Sequence, residues 1–546
     1  MTMGSGLFSG MATGAPLAVP EEIARRAGTV VPSTGVVMDP SPDDRMTEIF
    51  RRAADPADPM ELRDLYLGRL EAELGRHSTR PELAVRWRES TVRRQFGSEE
   101  ILSSRATVRF VKEMFNYYFR DDLYGDLRPT ADVILSGGAV DEEAWGLPGV
   151  LKECVSYALT RDWYGYSDSR GREASREAVA RYESARMGFS AYGAENIALT
   201  MGATFAISTL ADFLLLGGTG TAPALCALPN YPPLVESVAR RADTKLVPLP
   251  ARDGTTSLRP LIDQLRPDTP LVLLQTAANP TGALVSEEEL DELIQAASPN
   301  TAIVLDECHE WLGRPVSLSK LRAAPNVIRV SSLSKNWSAP GLKVGWIIAD
   351  RAFVDEYYEY ASTTFGGPPS FFYTLVEVLA RMERWIVTGV EEPGTEQCGE
   401  FETGYGVQPR ALAAAYSAYR SDRLARQESL TALRDAVTGG LDLPGVSVMP
   451  AAYSINLALS FDDYADSYLC FRDLLRETGV SVFPGLLTFG LSGGTVRITS
   501  ARRWEELSVA LDRLTVHQNR TRSTRRSTAP EPQSNSLRQP RGHAHG

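Results

Sequence analysis

The spacing of hydrophobic positions changes three times along the chain. Between about residues 40 and 120, apolar residues recur at helical intervals among Arg, Glu and Ala, as in MELRDLYLGRLEAELGRH from Met60 to His77. Pro40, Pro42, Pro56, Pro59 and Pro81 punctuate this run. The pattern predicts an N-terminal extension over 1–105 that is partly helical and partly flexible, with a Gly/Ser/Ala-rich lead-in over the first twenty residues. From about 195 the pattern becomes short apolar runs of strand length: ALCALP (224–229), TKLVPLP (244–250), PLVLLQT (270–276), AIVLDE (302–307), VIRVSSLS (327–334) and VGWIIAD (344–350). Helix-like stretches separate them. Near-continuous apolar strands alternating with helices predict a mostly parallel sheet covered on both faces, whose sites lie beyond the carboxyl ends of the strands.

After about 376 the period returns to helical, in TLVEVLARMERWIV and ALAAAYSAYRSDRLARQESLTALRDAV. The Gly/Glu-rich segment between them, near 391–406, reads as an insertion or lid-like loop. The runs VSVMP, SINLALS, VSVFPG and TVRITSA then predict a smaller α+β unit. The expected organisation is a large domain over 195–375 and a C-terminal small domain over 376–516. Residues 106–194 would supply the N-terminal part of the small domain and active-site loops.

Composition narrows the function classes. At 43% hydrophobic and 23% charged, the 546 residues have an ordinary soluble globular composition. No apolar run approaches the roughly 20 residues that a membrane-spanning helix needs. The N-terminus lacks the basic and apolar regions of a secretory signal. Five cysteines without a C-x-x-C pair argue against a disulfide framework or a structural metal site, and suit a reducing cytoplasm. A net charge of −12 disfavours nucleic acid as a partner. From His517 to Gly546, six Arg against one Glu give about +5, so the remainder carries about −17 (−12 − 5). This basic stretch, nearly free of aliphatic residues, predicts a disordered tail over 517–546.

The densest chemistry lies in Ser331–Trp346, SSLSKNWSAPGLKVGW. Burial at a strand's end lowers the pKa of an amine such as Lys335 and frees it for Schiff-base chemistry. Ser332 and Ser334 can donate to a phosphate, and Lys343 supplies positive charge. Asn279, in ANPTG, follows one apolar strand, and Asp306 ends another. A carboxylate there can keep a pyridine nitrogen protonated. Gly202-Ala203-Thr204 opens a helical stretch whose N-terminus can cradle a phosphate, and Tyr231 is placed to stack on a heteroaromatic ring.

This ordered set resembles the fold-type I pyridoxal 5′-phosphate (PLP) enzymes. It is closest in pattern to the class I/II aminotransferase group that includes 1-aminocyclopropane-1-carboxylate synthase and aspartate 4-decarboxylase. The resemblance covers roughly residues 130–515. It implies an α/β fold-type I PLP-transferase: a large domain with a mostly parallel sheet covered by helices, a smaller α+β domain, and the helical N-terminal extension outside the family pattern. It further implies that Lys335 forms the Schiff base and carries the substrate's α-proton. Asp306 would face the pyridine nitrogen, Asn279 the ring oxygen, and Tyr231 the ring face. Ala203, Thr204, Ser332, Ser334 and Lys343 would hold the phosphate. Arg497 would bind the substrate α-carboxylate, and Gly138 would lie in the loop that closes over the substrate. Tyr166 matches the tyrosine that reaches the partner's phosphate, which implies a homodimer with shared active sites.

Two positions depart from the family pattern. His309 stands where a tyrosine usually donates to the ring oxygen, and Lys343 where an arginine usually holds the phosphate. The implied function is an aminotransferase acting on an L-amino acid and a 2-oxo acid. The departures motivate an alternative: PLP-dependent elimination or replacement on an S-adenosylmethionine-like substrate, decarboxylation or oxidation, in secondary metabolism. A catalytically silent member of the fold is a third reading, against which the intact Lys335, Asp306 and Asn279 speak.

Overall fold

The computed structural model describes residues 6–9, 21–26, 37–217, 221–310, 317–335, 337–441, 443–451 and 453–528. Apart from residues 6–9, the flexible lead-in expected at the N-terminus lies outside them, as does 529–546 of the expected tail.

The strand-length apolar runs form one seven-stranded sheet, in the order Ile197–Thr200, Gly345–Ile348, Val327–Ser332, Ala302–Asp306, Leu271–Gln275, Ala224–Leu228, Thr244–Pro248. Pairing is parallel except at Gly345–Ile348, which runs antiparallel to both neighbours. Alternate residues of each strand enter different cores. Leu271 and Leu273 pack with Ile207 and Leu210 of the helix Ala203–Leu215, whereas Val272 and Leu274 join Leu290 and Leu293 on the other face. Each such side chain contributes roughly 1.5–3 kcal/mol by leaving water, and both faces are covered.

Register then sets the site. Asp306 pairs with Gln275 on one side and with Val330 on the other, so Gln275, Asp306 and Ser332 reach the same edge of the sheet. The antiparallel strand comes close enough that a Cβ on Gly345 would lie 2.5 Å from the Ser331 carbonyl, so only glycine fits there.

The smaller unit is an antiparallel sheet of Val446–Val448, Asn456–Phe461, Thr495–Thr499 and Phe483–Pro484, with Arg497 opposite Ala458 and Phe483. The N-terminal helices share its core. Asp43 and Asp58 cap the helices Asp44–Arg52 and Pro59–Leu74, and Leu62, Leu65 and Leu70 of the second are buried at helical spacing. Two polar contacts tie this extension to the helix Ser467–Thr478 and its cap: Tyr66 Oη donates to Asp466 at 2.9 Å, and Arg472 Nη1 donates to Thr79 Oγ1 at 3.2 Å. The helix Tyr373–Val387 spans the boundary expected at 375–376 and packs against the helix Glu173–Met187.

Two expectations are corrected. Disorder was expected from His517, but His517–Thr528 continue the helix Trp504–Thr528. Gln518 Nε2 donates to the Pro444 carbonyl at 3.3 Å and to Asp463 at 3.2 Å, which anchors the segment that composition alone leaves unsupported. The 391–406 segment is no lid. Phe401 and Tyr405 are buried, Tyr405 Oη donates to Glu377 at 2.7 Å, and no residue of the segment lines the central cavity.

Behind the sheet, Glu307 is fully buried and accepts from Arg322 and Arg329, each at 2.7 Å, while Arg329 also donates to Glu183 at 2.9 Å. Burial alone would push the Glu307 carboxyl up, but Arg329, Arg322 and Arg186 hold it well below the usual range. Replacing one member strands the others in low dielectric. Glu307→Leu is expected to cost about 3–5 kcal/mol in a urea unfolding titration, and a loss below about 1 kcal/mol would show that this cluster is not a clamp on the fold.

Candidate active site

The carboxyl edge of the large sheet, the small sheet and the N-terminal helix Arg105–Tyr117 enclose a cavity of about 270 Å³. Lys335 follows the strand Val327–Ser332 and reaches into it, its Nζ donating to the Gly138 carbonyl. Burial first, then the adjacent Arg497, lowers its pKa to about 8. The amine is therefore far closer to its free-base form at neutral pH than an exposed lysine.

Asp306 is held at both oxygens. Gln275 Nε2 donates to Oδ2 at 2.8 Å, and the Cys308 backbone N–H donates to Oδ1 at 3.2 Å. Arg497 comes from the small sheet. Its Nη1 donates to Asn279 Oδ1 at 3.1 Å and its Nη2 to the Ser136 carbonyl at 2.8 Å, with the guanidinium 4.0 Å above the Phe483 ring. Among the described residues, Arg497 Nε is buried without a hydrogen-bond partner. Because Asn279 Oδ1 is taken by Arg497, the amide presents Nδ2 as its free, donating end. His309 is buried, and burial, then Lys335 and Arg497, push its pKa down to about 3, so the ring is neutral.

An anion cradle adjoins these groups. The helix Ala203–Leu215 begins after Gly202, whose φ of +82° suits glycine, and no side chain caps its first turn. Its leading N–H groups are therefore not taken by a side-chain cap and suit an anion. Thr204, Ser332, Ser334 and Lys343 line the same cavity.

The structure brings together Gly138, Ala203, Thr204, Tyr231, Asn279 and Asp306 with His309, Ser332, Ser334, Lys335, Lys343 and Arg497. It does not bring Tyr166 there: that side chain is fully exposed and does not line the cavity of its own chain. Sequence reasoning missed Phe115, Phe119, Gln275, Asn456 and Phe483, which also line it. Gln275 had a signal: it is the polar last residue of the apolar strand Leu271–Gln275, as Asp306 is of Ala302–Asp306. The others lie far away in sequence.

The family model for aminotransferase class I and II matches residues 134–514. The chain belongs to this family. It is 24% identical over 393 residues to the aspartate aminotransferase of Pyrococcus horikoshii, covering 70% of this chain and 90% of that one. It is 28% identical over 183 residues to an aromatic amino acid aminotransferase of Mycobacterium sp., covering 33% of this chain and 50% of the relative. A histidinol-phosphate aminotransferase of Macrococcus caseolyticus matches at 30% over 117 residues, 21% of this chain and 33% of the relative. The chain thus spans about a third to a half of the length of the first curated relatives it matches. The solved structure of Thermus thermophilus aspartate aminotransferase with maleate superposes with a TM-score of 0.58 at 20% identity, over 78% of this chain and 100% of that one, which shows the fold.

The cofactor of class I and II aminotransferases of this fold is PLP. The cavity fits it: an amine of lowered pKa, a carboxylate held at both oxygens, an anion cradle without a side-chain cap, and the unpartnered Arg497 Nε all face one space. Only the unprotonated amine attacks a carbonyl, and a pKa near 8 halves the protonated fraction there rather than near 10.5. The rate at which the cofactor-free protein captures PLP is therefore expected to rise with pH, with its midpoint near 8, and to level off above about 9. A rise continuing beyond pH 10 would remove burial and Arg497 as the cause.

Proposed function

We propose that this member of the aminotransferase family is a PLP-dependent aminotransferase, exchanging an amino group between an L-amino acid and a 2-oxo acid in this cavity. The observation that carries the reading is Lys335 sharing one enclosed space with Asp306, Asn279 and Arg497. When bound, PLP supplies an electron-withdrawing ring that weakens a Cα–H bond of the amino acid.

The chain's own residues do the rest. Asp306, held by Gln275 and the Cys308 N–H, would face the pyridine nitrogen as a carboxylate. Ala203, Thr204, Ser332, Ser334 and Lys343 would hold the phosphate, Tyr231 the ring face, and Asn279 with His309 the ring oxygen. Arg497 would turn its fork to the substrate α-carboxylate. Lys335 Nζ would take up the proton lost from the substrate Cα, which its lowered pKa of about 8 suits. Gly138 brings a backbone carbonyl against Nζ, and Phe115 and Phe119 give the cavity an apolar stretch of wall.

The wall also speaks to the substrate side chain. Among the described lining residues, the cations are Lys335, Lys343 and Arg497, and each already has a role. The remaining wall includes Phe115, Phe119, Leu234 and Phe483, which favours an apolar or aromatic side chain over a second carboxylate. The exposed Tyr166 supports a homodimer in which it reaches the partner's site. Five cysteines without a disulfide support a cytoplasmic setting.

Holoenzyme mixed with an amino acid and no oxo acid should release one 2-oxo acid per site and stop until an oxo acid is added. Phenylalanine or leucine should exceed aspartate by at least about tenfold in kcat/KM. Lys335→Ala should lower turnover by at least about a thousandfold with the fold retained. Continued turnover without an oxo acid would instead support elimination, decarboxylation or oxidation.

A further inference from the structure

His309 has one polar contact among the described residues: its Nδ1 lies 3.2 Å from Ser454 Oγ. Ser454 comes from the loop before the small-domain strand Asn456–Phe461, 145 residues away in sequence, and is buried at 1% exposure. Its backbone is unusual. With φ at +80°, Ser454 occupies the left-handed region that a serine enters only at a cost. The buried Arg434 holds that conformation, its Nη1 donating to the Ser454 carbonyl at 2.8 Å.

The hydroxyl's bonding decides the imidazole's. Ser454 Oγ already accepts from the Asn456 backbone N–H at 3.2 Å. A hydroxyl has one proton to give, and the acceptor within reach of it is His309 Nδ1. The second lone pair of Oγ could instead accept from Nδ1–H, but the buried hydroxyl proton would then find no acceptor among the described residues; its donation to Nδ1 satisfies both groups and leaves the ring proton on Nε2. The charged groups facing His309 are Lys335 and Arg497 across the cavity, with Asp306 three residues earlier on its own segment. Two cations of the same sign, together with burial, oppose a second proton on the ring. Nε2–H finds no protein acceptor among the described residues, although His309 lines the cavity.

We propose that Ser454 is a positioning residue that locks His309 in its Nε2–H tautomer, making His309 a permanent N–H donor to the cofactor's ring oxygen beside Asn279 Nδ2. The inference rests on the reading that this cavity holds PLP. A tyrosine at position 309 would bring its own proton and could lose it. An imidazole is a donor or an acceptor according to its tautomer, so the histidine at 309 needs a partner that chooses for it. Ser454, bent into the left-handed region and clamped by Arg434, supplies that choice. The hydroxyl is spent on His309 and the Asn456 N–H, so Ser454 itself need not touch the cofactor.

The test reads the tautomer directly, by two-bond proton–nitrogen NMR of protein labelled with nitrogen-15 histidine. The chain has five histidines, and a His309→Asn variant identifies the signal. In both cofactor-free and PLP-bound wild type, His309 should show a protonated Nε2 and a bare Nδ1, unchanged between pH 5 and 9. Ser454→Ala, and Ser454→Gly, which relaxes the backbone, should both give a mixed tautomer. In the PLP-bound variants the pKa of the cofactor's absorption band should rise by about one unit, as its ring oxygen loses a fixed donor. A protonated Nδ1 in wild type would overturn the proposal without any variant, as would a ring that titrates within that range. So would an unchanged tautomer and cofactor pKa in both variants. The cofactor-free spectrum separates the two readings: failure to bind PLP sinks the proposed function, while the tautomer still decides the role of Ser454.

Discussion

A lysine amine enclosed in a cavity beside an arginine is the constraint from which the rest of the site follows. Two cations in low dielectric repel each other and lose hydration, so one of them gives up its proton more readily. Lys335 does so, with its pKa brought to about 8, while Arg497 stays charged even though burial lowers it to about 10. The arrangement is only stable because each cation has a local acceptor: the Gly138 carbonyl for Lys335, the Ser136 carbonyl and Asn279 Oδ1 for Arg497. Both backbone acceptors come from the stretch that follows the strand Val133–Ile134. That short strand pairs with Val480–Ser481, so the loop is pinned to the small domain.

The cavity therefore depends on two sheets at once. The parallel sheet supplies Gln275, Asp306 and Ser332 at adjacent strand ends, through a register that its two-sided apolar cores enforce. The antiparallel sheet supplies Arg497 and Phe483 as direct cross-strand neighbours, which puts the guanidinium over the ring. The N-terminal extension is more than an appendage here. It packs into the small-domain core through Tyr66 and leads into the helix that carries Phe115. A change in either sheet's core would move a charged group relative to Lys335.

What could be read from the sequence divides along a physical line. Lys335, Asp306, Asn279 and Thr204 were legible because each sits at the end of a strand or the start of a helix, where local periodicity marks the position. Arg497 was legible through its motif, TVRITSA. Phe115, Phe119 and Asn456 were not, because nothing local distinguishes a cavity-facing side chain from a core one. Ser454 was invisible for the same reason, its contact with His309 spanning 145 residues. The tail from His517 and the 391–406 segment misled in the opposite direction. Their compositions are poor in aliphatic residues, yet Gln518 and Tyr405 are fixed by polar contacts to neighbours that only the fold assembles.

The two departures from the family pattern can be weighed by what each substituted side chain keeps. Lys343 retains the positive charge at the anion cradle but not a planar fork, and it does so from a backbone φ of +54° that ends the short helix Pro340–Leu342. A point charge tolerates that rotation, because an ammonium has no preferred plane to align. His309 keeps a donor but not a phenol, and a neutral imidazole gains directionality only through what binds its other nitrogen. The first change is thus absorbed where it occurs. The second would, on the proposed role of Ser454, transfer control of a proton from the large domain's own residue to a serine of the small domain, whose contact with His309 crosses between them.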